Sequence, residues 1–338
     1  MTIKETIDER WTMMERLCVA YGADDNYAKH LGISMISLFQ TNKEFDEINV
    51  FVMDCDIEEI NKGRLVSIAE EYKRSIEFVS IKDYVDGLNL NMGARKIAVS
   101  SYARLFLEEV IPKEYNKILY LDCDTIIKDE IKEYWNTNLD GYMAAGVQDT
   151  VDKYFLKKIG LAADHCYINA GVLLINLDGW RKTGLQQKFI DFIKKFDGNV
   201  PHHDQGTING VCSGKLLTVP LRYNVTSNIY SFSAKTIKNI YSMKSFYNQE
   251  ELDDAKSNPA ILHYTTGLVG RPWEDACTHP MKEEYVEMAS VSPWREEQLL
   301  PDSRSLNVRM FAILYKFTPR LVSETMYRLS SWLLHIRK

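Results

Sequence analysis

Ile118-Leu119-Tyr120-Leu121-Asp122-Cys123-Asp124 reads as a short buried strand that runs straight into two carboxylates. Upstream of it, apolar runs alternate with helical patterns. Leu17–Gly22, Ile48–Met53 and Ile76–Val79 are strand-like runs. Between them, Tyr27–Gln40 carries Leu31, Met35, Leu38 and Phe39 at helical spacing. Asp56 with Glu59 resembles a capping box that opens a helix reaching Tyr72, and Ser100–Val110 is helical in pattern. This rhythm predicts an α/β domain with a largely parallel sheet, in which ligands sit beyond the carboxyl ends of the strands. Two carboxylates at i and i+2, where a strand ends, are able to converge on one hard cation.

The second half is less regular. Tyr167–Leu177 is a long apolar stretch broken by Asn169-Ala170-Gly171, and Leu185–Phe196 is an amphipathic helix. Leu216–Pro220 and Ile261–His263 read as strands. There are no internal repeats. The expected organisation is an N-terminal helix over 1–16 (Ile3, Ile7, Trp11 and Met14 on one face), one domain over 17–280, and a helical tail over 281–338.

The 338 residues are 45% hydrophobic and 26% charged, which places the chain among globular rather than disordered proteins. No apolar run is long enough for a membrane span, and the polar N-terminus lacks a signal-peptide core. The net charge of −6 argues against a nucleic-acid binder with a basic face. That average hides a split: residues 304–338 carry +6 and the first 303 carry −12. The tail interleaves its cations with Met310, Phe311, Leu314, Phe317, Trp332, Leu333 and Ile336, a basic-aromatic pattern suited to an anionic membrane surface. The other reading is that these helices pack back on the acidic domain. The six cysteines form no Cys-x-x-Cys pair, so a reducing, cytoplasmic setting is expected. Asn224-Val225-Thr226 matches a glycosylation sequon and is taken as a chance match.

With 47 acidic residues, an isolated Asp-x-Asp is weak evidence, and Asp54-Cys55-Asp56 is a decoy in which Asp56 reads as a helix cap. The company of the second triplet matters more. Ala23-Asp24-Asp25-Asn26-Tyr27 follows the first strand with acids, an amide and an aromatic, a set able to hydrogen-bond a base and ribose. Ser101-Tyr102-Ala103-Arg104, Asn169-Ala170-Gly171 and His203-Asp204-Gln205 come next. His263-Tyr264-Thr265-Thr266-Gly267 then leads to Arg271-Pro272-Trp273.

In this order the motifs resemble glycosyltransferase family 8, the retaining sugar-nucleotide transferases, and within it the bacterial galactosyl- and glucosyltransferases. The resemblance implies a GT-A fold, a UDP-sugar donor (UDP-galactose or UDP-glucose) and Mn²⁺, with Mg²⁺ as the alternative. It implies metal ligands at Asp122, Asp124 and His263, and uridine contacts at Ala23, Asp24, Asn26 and Tyr27. Donor contacts are implied at Arg104, Cys123, Gly267 and Arg271. Asn169, Asp204 and Gln205 surround the transferred sugar, and Asp149 lies near the acceptor cleft. The implied acceptor is a surface glycan: lipooligosaccharide, capsule or a protein-linked glycan. The enzyme would then work at the inner face of the cytoplasmic membrane.

Two departures stand out. The branch pattern Asp-Gln-Asp is Asp204-Gln205-Gly206 here, and glycine is no nucleophile, so a front-face mechanism is expected, with Asp204 as nucleophile the alternative. Arg271 stands where the branch has lysine, and the interval from His263 to Trp273 is longer. The rivals are a UDP-sugar hydrolase, a non-catalytic UDP-sugar-binding protein and a nucleotide-sugar-forming transferase. The last would need a Gly-rich phosphate loop that Gly22-Ala23-Asp24-Asp25 does not supply.

Overall fold

The computed structural model describes residues 15–81, 84 and 102–336. Most of the expected N-terminal helix (residues 1–14), Ser100, Ser101, Arg337 and Lys338 lie outside the described residues, and Arg16 already opens strand β1.

β1 (Arg16–Ala23) pairs in parallel with β2 (Glu47–Asp54) on one side and β4 (Lys117–Leu121) on the other, and β3 (Ser75–Ser80) extends the sheet in parallel beyond β2. β7 (Ile168–Asn176) runs antiparallel to β4, followed by β6 (Ala144–Gln148) and β8 (Leu216–Thr218). The order is β3-β2-β1-β4-β7-β6-β8. Alternate residues along each strand feed opposite faces. Leu17, Val19, Val50, Val52, Leu119 and Leu121 join one core, with α1 (Asp25–Thr41) and α2 (Glu59–Glu71). Cys18, Ala20, Phe51, Met53, Ile118 and Tyr120 join the other, with Trp180 and with Phe189 of α3 (Leu185–Lys195). A sheet buried on both faces explains why its central strands read as continuous apolar runs.

A second sheet joins β5 (Thr125–Ile127), β10 (Ile261–His263) and β9 (Val225–Thr226), in the order β5-β10-β9. Asp122-Cys123-Asp124 is the corner where the chain leaves β4 of the large sheet and enters β5 of the small one. In β10, His263 pairs with Thr125 across the ladder and so stands beside that corner.

Three local expectations are corrected. Asp56 is not the cap of α2: it sits at φ +71, and Glu58 occupies the N-cap without a side-chain bond. The turn is held instead by Asp54, whose Oδ1 accepts from the Ile57 amide at 2.8 Å while Oδ2 pairs with Lys62 at 2.8 Å. The described part of the segment expected as one helix over Ser100–Val110 is a tighter 3-10 turn, Ala103–Phe106, before a single α-turn, Leu107–Val110. Asn169-Ala170-Gly171 does not break its strand. It lies inside continuous β7, with the irregularity opposite it, between Gly146 and Gln148 of β6.

The tail is helical. α4 (Lys282–Ser290) docks on α1, where Tyr285 OH and His30 Nδ1 are 2.7 Å apart. α5 (Leu306–Phe317) and α6 (Arg320–Ile336) dock through Tyr315 and Tyr327 onto Phe232 and Tyr241. Their opposite face is open: Phe317 is 76% and Leu321 78% exposed, with Leu306, Met310, Ile313 and Leu329 also exposed.

Candidate active site

The corner between the sheets is pinned by backbone bonds. The Asp122 amide donates to Gly171 O at 2.7 Å, and the Tyr264 amide donates to Asp124 O at 2.8 Å. This aims both carboxylates at His263, whose Nε2 lies 3.2 Å from Asp124 Oδ1 and 3.7 Å from Asp122 Oδ2. One ligand atom from each of the three falls within 4.8 Å of the others. The neighbouring floor is glycine because a Cβ at Gly171 would come within 2.3 Å of the His263 ring and 2.6 Å of Asp122 Oδ2. Two carboxylates and one imidazole converging over such a floor suit a divalent cation of mixed oxygen and nitrogen preference. Cys123, between the two acids, is buried and turns its thiol to the Gly22 carbonyl.

Burial alone would lower the pKa of His263, but Asp124 and then Asp122 outweigh it and hold the imidazole above its ordinary value. Asp124 is held below the ordinary carboxylate range in spite of burial, chiefly by His263. The two carboxylates therefore favour the protonated imidazole when no cation is bound. His263 must lose that proton to ligate, and its raised pKa moves the loss to higher pH. Divalent-cation affinity is expected to rise as pH goes from 6 to 8, with proton release on binding; titration calorimetry in buffers of different ionisation enthalpy measures both.

Arg104 is the second anchor. The 3-10 turn that carries it places its guanidinium 2.7 Å from Asp122 and 2.7 Å from Asp204, over the Tyr120 ring at 4.2 Å and bonded to Ala170 O. Burial drives the Asp204 carboxyl up to about 6, against the downward pull of Arg104. One buried cation thus joins a candidate metal ligand to a residue expected beside the transferred sugar.

The amides are equally constrained. Asp149 Oδ2 accepts from Gln205 Nε2 at 2.8 Å and from Asn169 Nδ2 at 3.0 Å, while Gln205 Oε1 accepts from the Ala170 amide at 2.9 Å. Asn169 Oδ1 accepts from Asn224 Nδ2 at 2.9 Å, and Asn224 Oδ1 faces His263 Nδ1 at 3.0 Å. Since the Asn224 amide nitrogen is committed to Asn169, its oxygen must accept from His263 Nδ1–H, which leaves Nε2 for a cation. Asn224 was read only as a sequon. It is fully buried, so no glycan can reach it. Its long-range partners carry no local sequence signal. Asn224→Ala is expected to weaken divalent-cation binding about tenfold while the fold persists, measured by titration with Mn²⁺.

The residues expected on the nucleotide side cluster around the same corner. Ala23 ends β1, Asp24 caps α1 by accepting from the Tyr27 amide at 3.3 Å, Asn26 is exposed on the first turn, and Tyr27 is half-buried. Burial raises the Tyr27 phenol and Arg271 opposes it, so Arg271 and Tyr27 share one electrostatic environment with Asp124. Gly267 and Gly270 adopt φ +44 and +73, which favours residues without a Cβ. Arg271 Nε is buried without a hydrogen-bond partner. His202 rests on Phe155 at 3.8 Å rather than in the metal-ligand cluster.

Gly206 has a structural cause. It follows Gln205 on the helix His203–Val211, and a Cβ there would meet the Pro201 carbonyl oxygen at 2.0 Å. An acidic side chain at this position is excluded by backbone.

A nucleotide-sugar transferase fold of GT-A type, with the Asp-x-Asp corner at the carboxyl end of its parallel strands, accounts for all these positions. The chain belongs to glycosyltransferase family 8, whose model matches residues 18–277. It is 27% identical over 275 residues to General stress protein A of Bacillus subtilis, covering 80% of this chain and 92% of that protein. It is 28% identical over 291 residues to lipopolysaccharide 1,2-glucosyltransferase of Escherichia coli, covering 84% and 80%. Among solved structures it resembles the galactosyltransferase LgtC in complex with donor and acceptor sugar analogs. The TM-score is 0.67 at 28% identity, over 82% of this chain and 96% of that one.

Proposed function

We propose that the protein is a retaining hexosyltransferase that moves galactose or glucose from a UDP-sugar to a hydroxyl of a surface glycan, forming an α-linkage. The observation that carries this reading is the convergence of Asp122, Asp124 and His263 at the end of β4, joined through Arg104 to Asp204. The similarity to LgtC and to a lipopolysaccharide glucosyltransferase supports the substrate class and leaves both hexoses open. In this reading the catalytic domain spans 17–280 and the helical tail 281–338.

In this reading Ala23, Asp24, Asn26 and Tyr27 hold the uridine, and Arg271 with Arg104 adds positive charge at the diphosphate. Mn²⁺, or Mg²⁺ in its place, bound by Asp122, Asp124 and His263 would neutralise the leaving UDP. Asn169, Asp204 and Gln205 hold the sugar. Gln205 has both ends of its amide committed, which supports a shielding role beside the anomeric carbon rather than attack on it. With Gly206 unable to supply a carboxylate, the acceptor oxygen bonds to the anomeric carbon on the face from which the UDP oxygen leaves. The acceptor proton passes to that departing oxygen.

UDP release from a panel of UDP-sugars with Mn²⁺, repeated with EDTA, tests the reading. Turnover should require both metal and acceptor, and Asp124→Ala should abolish it. Release without an acceptor would make the protein a hydrolase, and binding without release a non-catalytic UDP-sugar-binding protein. A glycosyl adduct on Asp204, seen by intact-mass spectrometry, would replace the front-face step with double displacement.

The tail supports a peripheral contact with the inner face of the cytoplasmic membrane. No helix of the described residues is long and apolar enough to cross a bilayer. The undocked face of α5 and α6 instead joins exposed Met310, Ile313, Phe317 and Leu321 to exposed Arg309, Lys316 and Arg328, and each such cation beside an anionic leaflet is worth on the order of 1 kcal/mol. Phe317→Asp with Leu321→Asp is expected to abolish co-sedimentation with phosphatidylglycerol vesicles and to spare turnover on a soluble acceptor.

A further inference from the structure

Arg304 opens the basic tail in sequence, yet its side chain is only 8% exposed. Asp302 takes its Nε and one terminal nitrogen at 2.9 Å each. The rest of the fork reaches into the segment that follows His263: one terminal nitrogen donates to the Leu268 carbonyl, and the other to the Ala276 carbonyl at 3.2 Å. Its guanidinium carbon is 3.4 Å from where a Gly270 Cβ would stand. The neighbouring residue adds a second hold. Ser303 Oγ donates to Glu274 Oε1, while Glu274 Oε2 accepts the Arg271 amide at 3.2 Å, and Glu274 is buried. Backbone bonds run alongside, from the Leu300 amide to Trp273 O at 2.8 Å and from the Asp275 amide to Leu300 O at 2.9 Å.

We infer that Arg304 is a positioning residue for donor binding: it holds the Gly267–Arg271 loop from outside the cleft and so sets where the Arg271 guanidinium stands. The inference rests on the proposal that this loop grips a UDP diphosphate. A loop with two glycines at positive φ has much conformational freedom to lose, and without an outside hold that loss would fall on ligand binding. A guanidinium suits the task because its rigid fork reaches two carbonyls and a carboxylate at once, whereas an ammonium is a single point of charge. The Arg304 donors are taken up by Asp302, Leu268 and Ala276 and its side chain is nearly closed to solvent, so it acts through the backbone that carries Arg271.

The test uses the full chain with Mn²⁺, titrated separately with UDP and with uridine. Arg304→Ala is expected to weaken UDP about tenfold, the scale of losing charge-assisted hydrogen bonds, and to leave uridine nearly unchanged, since uridine carries no diphosphate for Arg271 to grip. Donor KM should rise more than kcat falls, and Arg304→Lys should lie between wild type and alanine. A folded Arg304→Ala that binds UDP like wild type overturns the inference, as does equal loss of UDP and uridine. If the alanine variant does not fold, Arg304→Lys and Asp302→Asn carry the same comparison. Wild-type protein that binds no UDP would overturn the donor reading itself, whereas wild-type binding with unaltered variants would overturn only the role of Arg304.

Discussion

A buried guanidinium between two carboxylates governs the rest of the cleft. Asp122 stands beside Asp124 on one side and Asp204 on the other, and like charges packed this closely repel unless a cation stands between them. Arg104 makes the arrangement tenable by pairing with Asp122 and Asp204 at 2.7 Å each. Once Arg104 faces both, Asp122 still has a second oxygen for the His263 side, and Asp204 is presented from the first turn of the helix His203–Val211. The 3-10 turn, the Tyr120 ring beneath the guanidinium and the Ala170 carbonyl follow as the scaffold that keeps this cation dry and oriented.

A chain of amides runs outward from the same centre: His263 to Asn224, Asn224 to Asn169, Asn169 and Gln205 to Asp149. Each of the three amides has its nitrogen and its oxygen committed, so the tautomer of the histidine and the amide orientations are mutually dependent. The candidate metal end and the candidate sugar end of the cleft are thus one hydrogen-bonded object.

Much of this was legible in the sequence, for stateable reasons. β1, β2, β3, β4 and α1 announce themselves because a sheet buried on both faces needs unbroken apolar runs and its helices need a periodic face. The corner acids, Arg104, His263 and the sugar-side amides came from motif order. Of the small sheet only β10 was read, as the strand Ile261–His263; β5 and β9, with three and two residues, carry no period. Asp56 misled because a good cap residue stood next to Asp54, which had the better geometry. Asn224 and the loop contacts of Arg304 stayed hidden because the partners lie 39 and 55 residues away for the one and 36 for the Leu268 carbonyl of the other, and composition then assigned one to a sequon and the other to a basic tail.

The tight approach of the Pro201 carbonyl to Gly206 also fixes how the helix His203–Val211 sits on the turn before it. Any side chain at 206, acidic or not, would have to move residues 200–201. Asp204 and Gln205 thus stand on a helix seated backbone against backbone, and chemical variety along this wall of the cleft falls to positions other than 206.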